Sequence, residues 1–319
     1  MRVNRKNEAG SRTQLCRFIG NTKESGFMVS RLAAYAITAA VTVSQSLTYQ
    51  PSYAEETAGE TAATEVLQPE FDYEAIKAMM PPQPEENSPL VGYNDKKSWW
   101  FSRNTTKTPP SAQHDINISQ YDSYYLGDVS RKVIYLTFDE GYENGCTSQI
   151  LDVLKENDVK AAFFVTKSYI KSEPELVKRM VAEGHVVGNH SVTHPDLTAV
   201  SDEQIASELN GCADYFKEVT GQDMPPFFRP PEGAYSIRTL EKTKELGYKT
   251  IFWSFAYRDW LVDDQPSVQE AHDYVLDYSH NGCIMLLHAV SEANTGALDS
   301  IIKDLKSQGY EFESLYRLP

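Results

Sequence analysis

From Lys132 to His288 the chain alternates short apolar runs with longer, more polar stretches. The runs read KVIYLTF, KAAFFVT, HVVGNH, PFFRP, KTIFWSFAY and CIMLLH, and each predicts a strand. The stretches between them predict helices with legible ends. Ser201 with Gln204 and Ser267 with Glu270 have the spacing of a capping box, and Gly184, Gly247 and Gly309 stand where helices should stop. Strand and helix in regular alternation predict an α/β fold built on a mostly parallel sheet, open or closed into a barrel.

Ahead of this region the pattern dissolves. Eight of the sixteen prolines precede residue 111, among Glu, Thr, Ser and Asn, so residues 55–115 read as a linker and N-terminal extension, with the folded domain over 116–319. The patch KKSWWFSRN interrupts the linker; Trp99 and Trp100 would serve there either as a sugar platform or as a clamp packed onto the domain. From Met28 the sequence reads MVSRLAAYAITAAVTVSQSLTYQPSYAEE. Arg31 precedes an apolar core shorter than the ~20 residues of a membrane span, and small Ala54 precedes Glu55 as at a cleavage site. Residues 1–54 therefore predict an export leader starting at Met28, a cleaved signal peptide or an uncleaved anchor. Either form puts the protein outside the cytoplasm, secreted or held at the outer face of the membrane.

The 319 residues, 41% hydrophobic and 24% charged, suffice for one large domain plus extras. The net charge of −15 is unevenly spread: residues 1–54 carry seven basic and two acidic residues, leaving 23 basic against 43 acidic elsewhere, net −20. So acidic a body repels polyanions, which excludes nucleic acid as a partner. Nothing in the sequence points to a protein partner. Cys146, Cys212 and Cys283 are widely spaced without a C-x-x-C pair, and read as buried small residues.

Polar residues gather at one end of the predicted strands. Asp139 and Glu140 end the first run, His190 the third, Arg229 the fourth and His288 the sixth, while Asp259 follows the fifth. In parallel α/β folds the carboxyl ends of strands share one face, where sites are built. In HSVTH, a helical conformation would bring His190 and His194 to one face, ~5–6 Å apart at Cβ, a spacing that suits two metal ligands. Arg229 can orient a carboxylate and keep it ionised. Asp259 can hold His288 in one tautomer and raise its basicity. Ser291 lies in no G-x-S-x-G turn, and no glycine-rich phosphate loop is present.

TFDEG, HSVTH, RPPEG, RDW and LLH, in this order and spacing, resemble the five motifs of the polysaccharide deacetylases, the NodB-homology family. The likeness covers about residues 130–315. TFDEGYENG, GHVVGNHSVTHPDLT and LLHAVS resemble the δ-lactam-biosynthetic de-N-acetylases of spore-forming bacteria, and extend the likeness back to about residue 96. The resemblance implies a distorted (β/α)7 barrel that removes acetyl groups from an N-acetylated sugar with one divalent metal ion, zinc foremost. It implies Asp139 as general base, braced by Arg229, and His288 as the acid that protonates the departing amine, tuned by Asp259. It implies Glu140, His190 and His194 as metal ligands, and Leu286 against the acetyl methyl. Trp260, Arg258 and Glu232 complete the expected substrate-binding set. Where Glu140 stands the family usually has aspartate, so either the loop shifts to admit the extra methylene, or Glu140 does not ligate and the site rests on two histidines and water.

The expected substrate is a peptidoglycan glycan strand, specifically N-acetylmuramic acid stripped of its peptide, on the route to the muramic δ-lactam of spore cortex. That sugar is anionic; Glu232 has the wrong sign for it, and Arg258 is the expected cation. The alternatives are a general N-acetylglucosamine or chitooligosaccharide deacetylase, a glycoside hydrolase pairing Asp139 with Glu140 or Glu143, and a non-catalytic glycan-binding module. Two adjacent carboxylates fit poorly the ~5–9.5 Å separation that glycoside hydrolysis needs.

Overall fold

The computed structural model describes residues 92–113 and 115–319. The leader expected over residues 1–54, and the linker as far as residue 91, lie outside the described residues. Eight parallel strands form one sheet: β1 (Ser123–Tyr124), β2 (Val133–Glu140), β3 (Ala162–Val165), β4 (Val186–Asn189), β5 (Phe227–Phe228), β6 (Lys249–Ile251), β7 (Cys283–His288) and β8 (Glu311–Phe312). Their order is β7-β2-β3-β4-β5-β6-β1, with β8 beside the start of β2. Past β6 the chain crosses to the opposite edge. Ser254 donates to the Ile284 carbonyl and Leu286 to that of Phe255, so the edges meet and the sheet curls into an irregular barrel.

Among the described residues seven α-helices connect the strands: α1 (Thr147–Glu156), α2 (Lys167–Ser172), α3 (Pro174–Ala182), α4 (Asp202–Thr220), α5 (Ile237–Glu245), α6 (Val268–Tyr278) and α7 (Glu292–Ser307). The capping boxes at Ser201 and Ser267 both form. Gly184, Gly247 and Gly309 lie two residues past α3, α5 and α7, each with φ between 80° and 86° as a left-handed stop requires. Among the described residues no helix is long and apolar enough to cross a membrane.

Two runs are shorter than their apolar content predicts. PFFRP keeps two strand residues because Pro226 and Pro230, with no N–H, flank them. KTIFWSFAY leaves the ladder after Ile251 to make its crossing. β1 and β8 are two-residue strands, too short to show any alternation.

The period of two sorts side chains into two layers. On β2, Ile134, Leu136 and Phe138 face the helices, while Val133 and Tyr135 face the barrel interior. Phe164 of β3, Phe227 of β5 and Ile284 of β7 share that interior. The same parity carried to the strand ends turns Asp139, Arg229, Leu286 and His288 inward and Glu140 outward.

The last part of the expected linker belongs to the fold. Lys97–Ser98 pairs with Ala234–Tyr235, and Phe101–Ser102 with Ser111–Ala112. Trp99 is the clamp: buried, stacked on Phe252 at 4.5 Å between ring centres, its indole N–H donating to the Trp253 carbonyl. Trp100 stays exposed. The domain thus reaches back past residue 116 at least to Tyr93, whose carbonyl accepts from the N–H of Arg238. Aromatic burial offsets the proline-rich composition on which the linker reading rested. Cys146, Cys212 and Cys283 are free and buried.

Candidate active site

A cavity of about 740 Å³ opens at the carboxyl ends of the strands, and its wall includes Asp139, His190, His194, Leu286 and His288. That size suits a small ligand.

Asp139 sits at the centre. Its Oδ1 accepts from an Arg229 N–H at 2.7 Å, and its Oδ2 lies 3.7 Å from His190 Nε2. Arg229 is wholly buried; its Nε donates to the Ile251 carbonyl, and its guanidinium lies 4.2 Å over the Phe164 ring. Phe164 has room because β4 passes it with Gly188, where a Cβ would meet the ring at 2.7 Å. Burial raises the Asp139 carboxyl, but Arg229 above all, with His190 and His288, outweighs it and holds the group below its usual range.

His288 faces the same cavity. Its Nδ1 donates to Asp259 Oδ1 at 2.7 Å, so Nε2 is the nitrogen left for the cavity. Asp259 is fully buried, and its Oδ2 accepts from the His288 main chain at 2.9 Å and from Asn294 Nδ2 at 2.6 Å. Asn294 in turn accepts from the Tyr257 hydroxyl. Burial lowers the His288 imidazole, but its hydrogen bond to Asp259, the Asp259 charge and Asp139 together lift it above the ordinary value. Carboxylate and imidazole therefore share one cavity with the first ionised and the second biased toward its protonated form.

The two histidines of HSVTH meet, though not on a helix. Ser191 and His194 take left-handed backbone angles, φ 71° and 57°, and the segment is an irregular turn. The Ser191 hydroxyl accepts from the His194 N–H, and Glu208 of α4 accepts from the N–H groups of Val192 and Thr193. The turn sets the rings edge to face, 4.8 Å between centres. His190 Nδ1 donates to the Arg229 carbonyl at 2.8 Å, leaving Nε2 with its lone pair. Burial drives the His190 imidazole down to about 4, so it is neutral. A neutral ring held through Nδ1 by a backbone carbonyl is the form in which histidine ligates metal.

Glu140 is not brought to these histidines. Its carboxyl is buried on the helix side of β2, and neither oxygen finds a hydrogen-bond partner. The nearby Thr147 hydroxyl turns instead to Glu143, which also accepts from Tyr169. Burial first, then the charges of Glu143 and Asp139, push the Glu140 carboxyl well above the ordinary range, which favours its neutral form. The cause of its misplacement is strand parity: the neighbour of an inward Asp139 must point out. Among the described residues no group of three His, Cys, Asp or Glu side chains is set to hold a metal ion. His190 and His194 fit one as a two-histidine site with open positions; Glu140 does not join them.

The expected substrate-binding residues reach the wall. Leu286 is buried beside His288, and Trp260, half exposed, packs its ring 5.4 Å from that of His288. Glu232 lines the cavity from a left-handed residue, φ 56°. Arg258 lines it too, with its guanidinium paired to Asp264 at 2.5 Å. Sequence reasoning missed Asn294, Tyr257 and Glu208, which act through contacts between distant segments. It also missed Arg103 and Trp253 in the wall.

Residues 126–251 match the family model described as polysaccharide deacetylase. A protein of Geobacillus stearothermophilus, "Uncharacterized 30.6 kDa protein in fumA 3'region", is 52% identical over 68% of this chain and 83% of its own length. The peptidoglycan-N-acetylmuramic acid deacetylase PdaA of Bacillus subtilis is 46% identical over 70% of this chain and 85% of its length. The solved structure of Bacillus subtilis PdaA, described as a family 4 carbohydrate esterase, superposes with a TM-score of 0.69 at 46% identity, covering 70% of this chain and 97% of that one.

Proposed function

Because the chain belongs to the polysaccharide deacetylase family, we propose that it hydrolyses the N-acetyl group of N-acetylmuramic acid in peptide-free peptidoglycan glycan. The observation that carries the reading is the opposed pair across one cavity, Asp139 kept ionised by Arg229 and His288 kept basic by Asp259. Arg229 occupies Oδ1 of Asp139, so Oδ2 is the free proton acceptor. It takes a proton from water as the water oxygen bonds to the acetyl carbon. His288 then gives its Nε2 proton to the sugar nitrogen as the C–N bond breaks, because an amide anion is too poor a leaving group. Acetate and a free amine result. Leu286 supports this reading as an apolar seat for the acetyl methyl.

A divalent metal, zinc foremost, would be held by His190 and His194 and would supply Lewis acidity toward the carbonyl and water. Glycoside hydrolysis is disfavoured: Glu140 faces away from Asp139, and Glu143 is engaged by Thr147 and Tyr169. The muramic sugar is favoured by the 46% identity to a muramic acid deacetylase. Its freed C2 amine stands beside the C3 lactyl carboxylate, close enough for a high effective molarity, so δ-lactam closure can follow. Peptidoglycan lies outside the cytoplasmic membrane, where the leader over residues 1–54 would deliver the protein.

The test is acetate release from peptide-free muramyl glycan and from a chitin oligomer, with chelator and with added divalent ions. Faster turnover of the muramyl glycan, lost on chelation and restored by metal, is expected. Faster turnover of the chitin oligomer would leave a general N-acetylglucosamine deacetylase. New reducing ends without acetate would indicate a glycosidase.

A further inference from the structure

Part of the cavity wall comes from outside the barrel. The ribbon that pairs Phe101–Ser102 with Ser111–Ala112 sends Phe101 and Arg103 to line it. The Arg103 guanidinium lies 5.1 Å from the centre of the Tyr274 ring and 5.8 Å from those of Phe101 and Tyr278. Three aromatic faces restrict its orientation and remove part of its hydration. Among the described residues it forms no ion pair, whereas the other two arginines of the site are engaged, Arg229 by Asp139 and Arg258 by Asp264. A guanidinium stacked on aromatics and lacking an anion is ready to accept one. The cavity favours such a group, since Asp139 and Glu232 bring carboxyls to its wall, Arg258 is already paired with Asp264, and the body of the chain is strongly acidic. An anionic sugar would otherwise meet like charge.

We propose that Arg103 receives the C3 lactyl carboxylate of the muramic sugar and thereby selects it over neutral N-acetylglucosamine. The proposal rests on the muramic reading above. Arg103 replaces Arg258 as the recognising cation: Arg258 must leave Asp264 to bind substrate, while Arg103 has no such competitor among the described residues. A guanidinium presents two parallel N–H donors to a carboxylate, which a lysine cannot reproduce.

The experiment measures kcat/KM of wild type, Arg103→Gln and Arg103→Lys on three substrates: peptide-free muramyl glycan, the same glycan with its lactyl carboxyl converted to the amide, and a chitin oligomer. Wild type should prefer carboxylate over amide by roughly tenfold to a hundredfold, the range of a hydrogen bond to a charged group. Arg103→Gln should lose that preference, and Arg103→Lys should recover part of it. An Arg103→Gln variant that keeps the wild-type preference overturns the assignment while leaving the muramic reading intact. Equal losses on all three substrates also overturn it, because they mark a structural role. Wild type that turns over the chitin oligomer and ignores the muramyl glycan removes the muramic reading, and Arg103 recognition with it.

Discussion

At Asp139 a single carboxylate divides its two oxygens between Arg229 and the cavity. Asp139→Asn keeps the shape and removes the proton acceptor, so kcat should fall by about 10²–10⁴-fold, measured by acetate release. Residual activity above a few per cent, in a variant with wild-type Tm, would remove Asp139 as the base. His288 sets the other limit. Activity should fall on the acid side as Asp139 protonates, below the usual carboxylate range, and on the alkaline side as His288 deprotonates, above about 6.5. Asp259→Asn removes the charge that lifts His288 and leaves the burial that lowers it. The alkaline limb of the kcat/KM profile should therefore move to lower pH; an unmoved limb would assign it to another group. The same linkage acts on stability. The raised His288 contributes stability below its unfolded pKa and loses it as pH rises through its folded value.

Among the elements, the turn after β4 does the least ordinary work. Two left-handed residues, Ser191 and His194, bend it, and the Glu208 carboxylate satisfies the N–H groups of Val192 and Thr193 and the Thr193 hydroxyl. A strained turn persists only where its surroundings over-determine it. Glu208→Ala should release it, weakening divalent-metal affinity by about 10–100-fold, as loss of a supporting shell does. Metal titration of the purified variant measures this directly. Affinity equal to wild type would mean that the turn holds its shape without Glu208, or that His194 is not a ligand.

For the whole molecule, the decisive contact is between the N-terminal segment and the barrel. Trp99 fills a pocket formed with Phe252, Tyr235 and Tyr125, and the ribbon it anchors carries Arg103 to the cavity. Trp99→Ala should cost about 3–5 kcal/mol, the range for deleting a buried large aromatic, read as a fall in Tm. Residues 116–319 alone should be less stable than 92–319 and should expose apolar surface at Phe252 and Tyr235. Equal stability of the two would return the domain boundary to residue 116.

Sequence alone determined the elements that repeat: strands and helices in α/β order, capping boxes at Ser201 and Ser267, and the helix stops at Gly184, Gly247 and Gly309. These depend on neighbours within a few residues, so local pattern suffices. It also placed Asp139, His190, Arg229 and His288 at strand ends, because a parallel sheet gathers its carboxyl ends on one face. Parity along β2 was legible as well: Glu140 follows Asp139 by one residue and shares the side of Ile134, Leu136 and Phe138. The motif likeness, which pairs the two acids, obscured that count. Tertiary structure decided what no short window contains. Asn294 reaches Asp259 across 35 positions, Arg229 reaches Asp139 across 90, and Trp99 reaches Trp253 across 154. Arg103 has meaning only once the ribbon folds back onto α6. Contacts of that reach leave no periodicity in the chain, since each is fixed by packing between segments whose order in sequence says nothing of their distance in space.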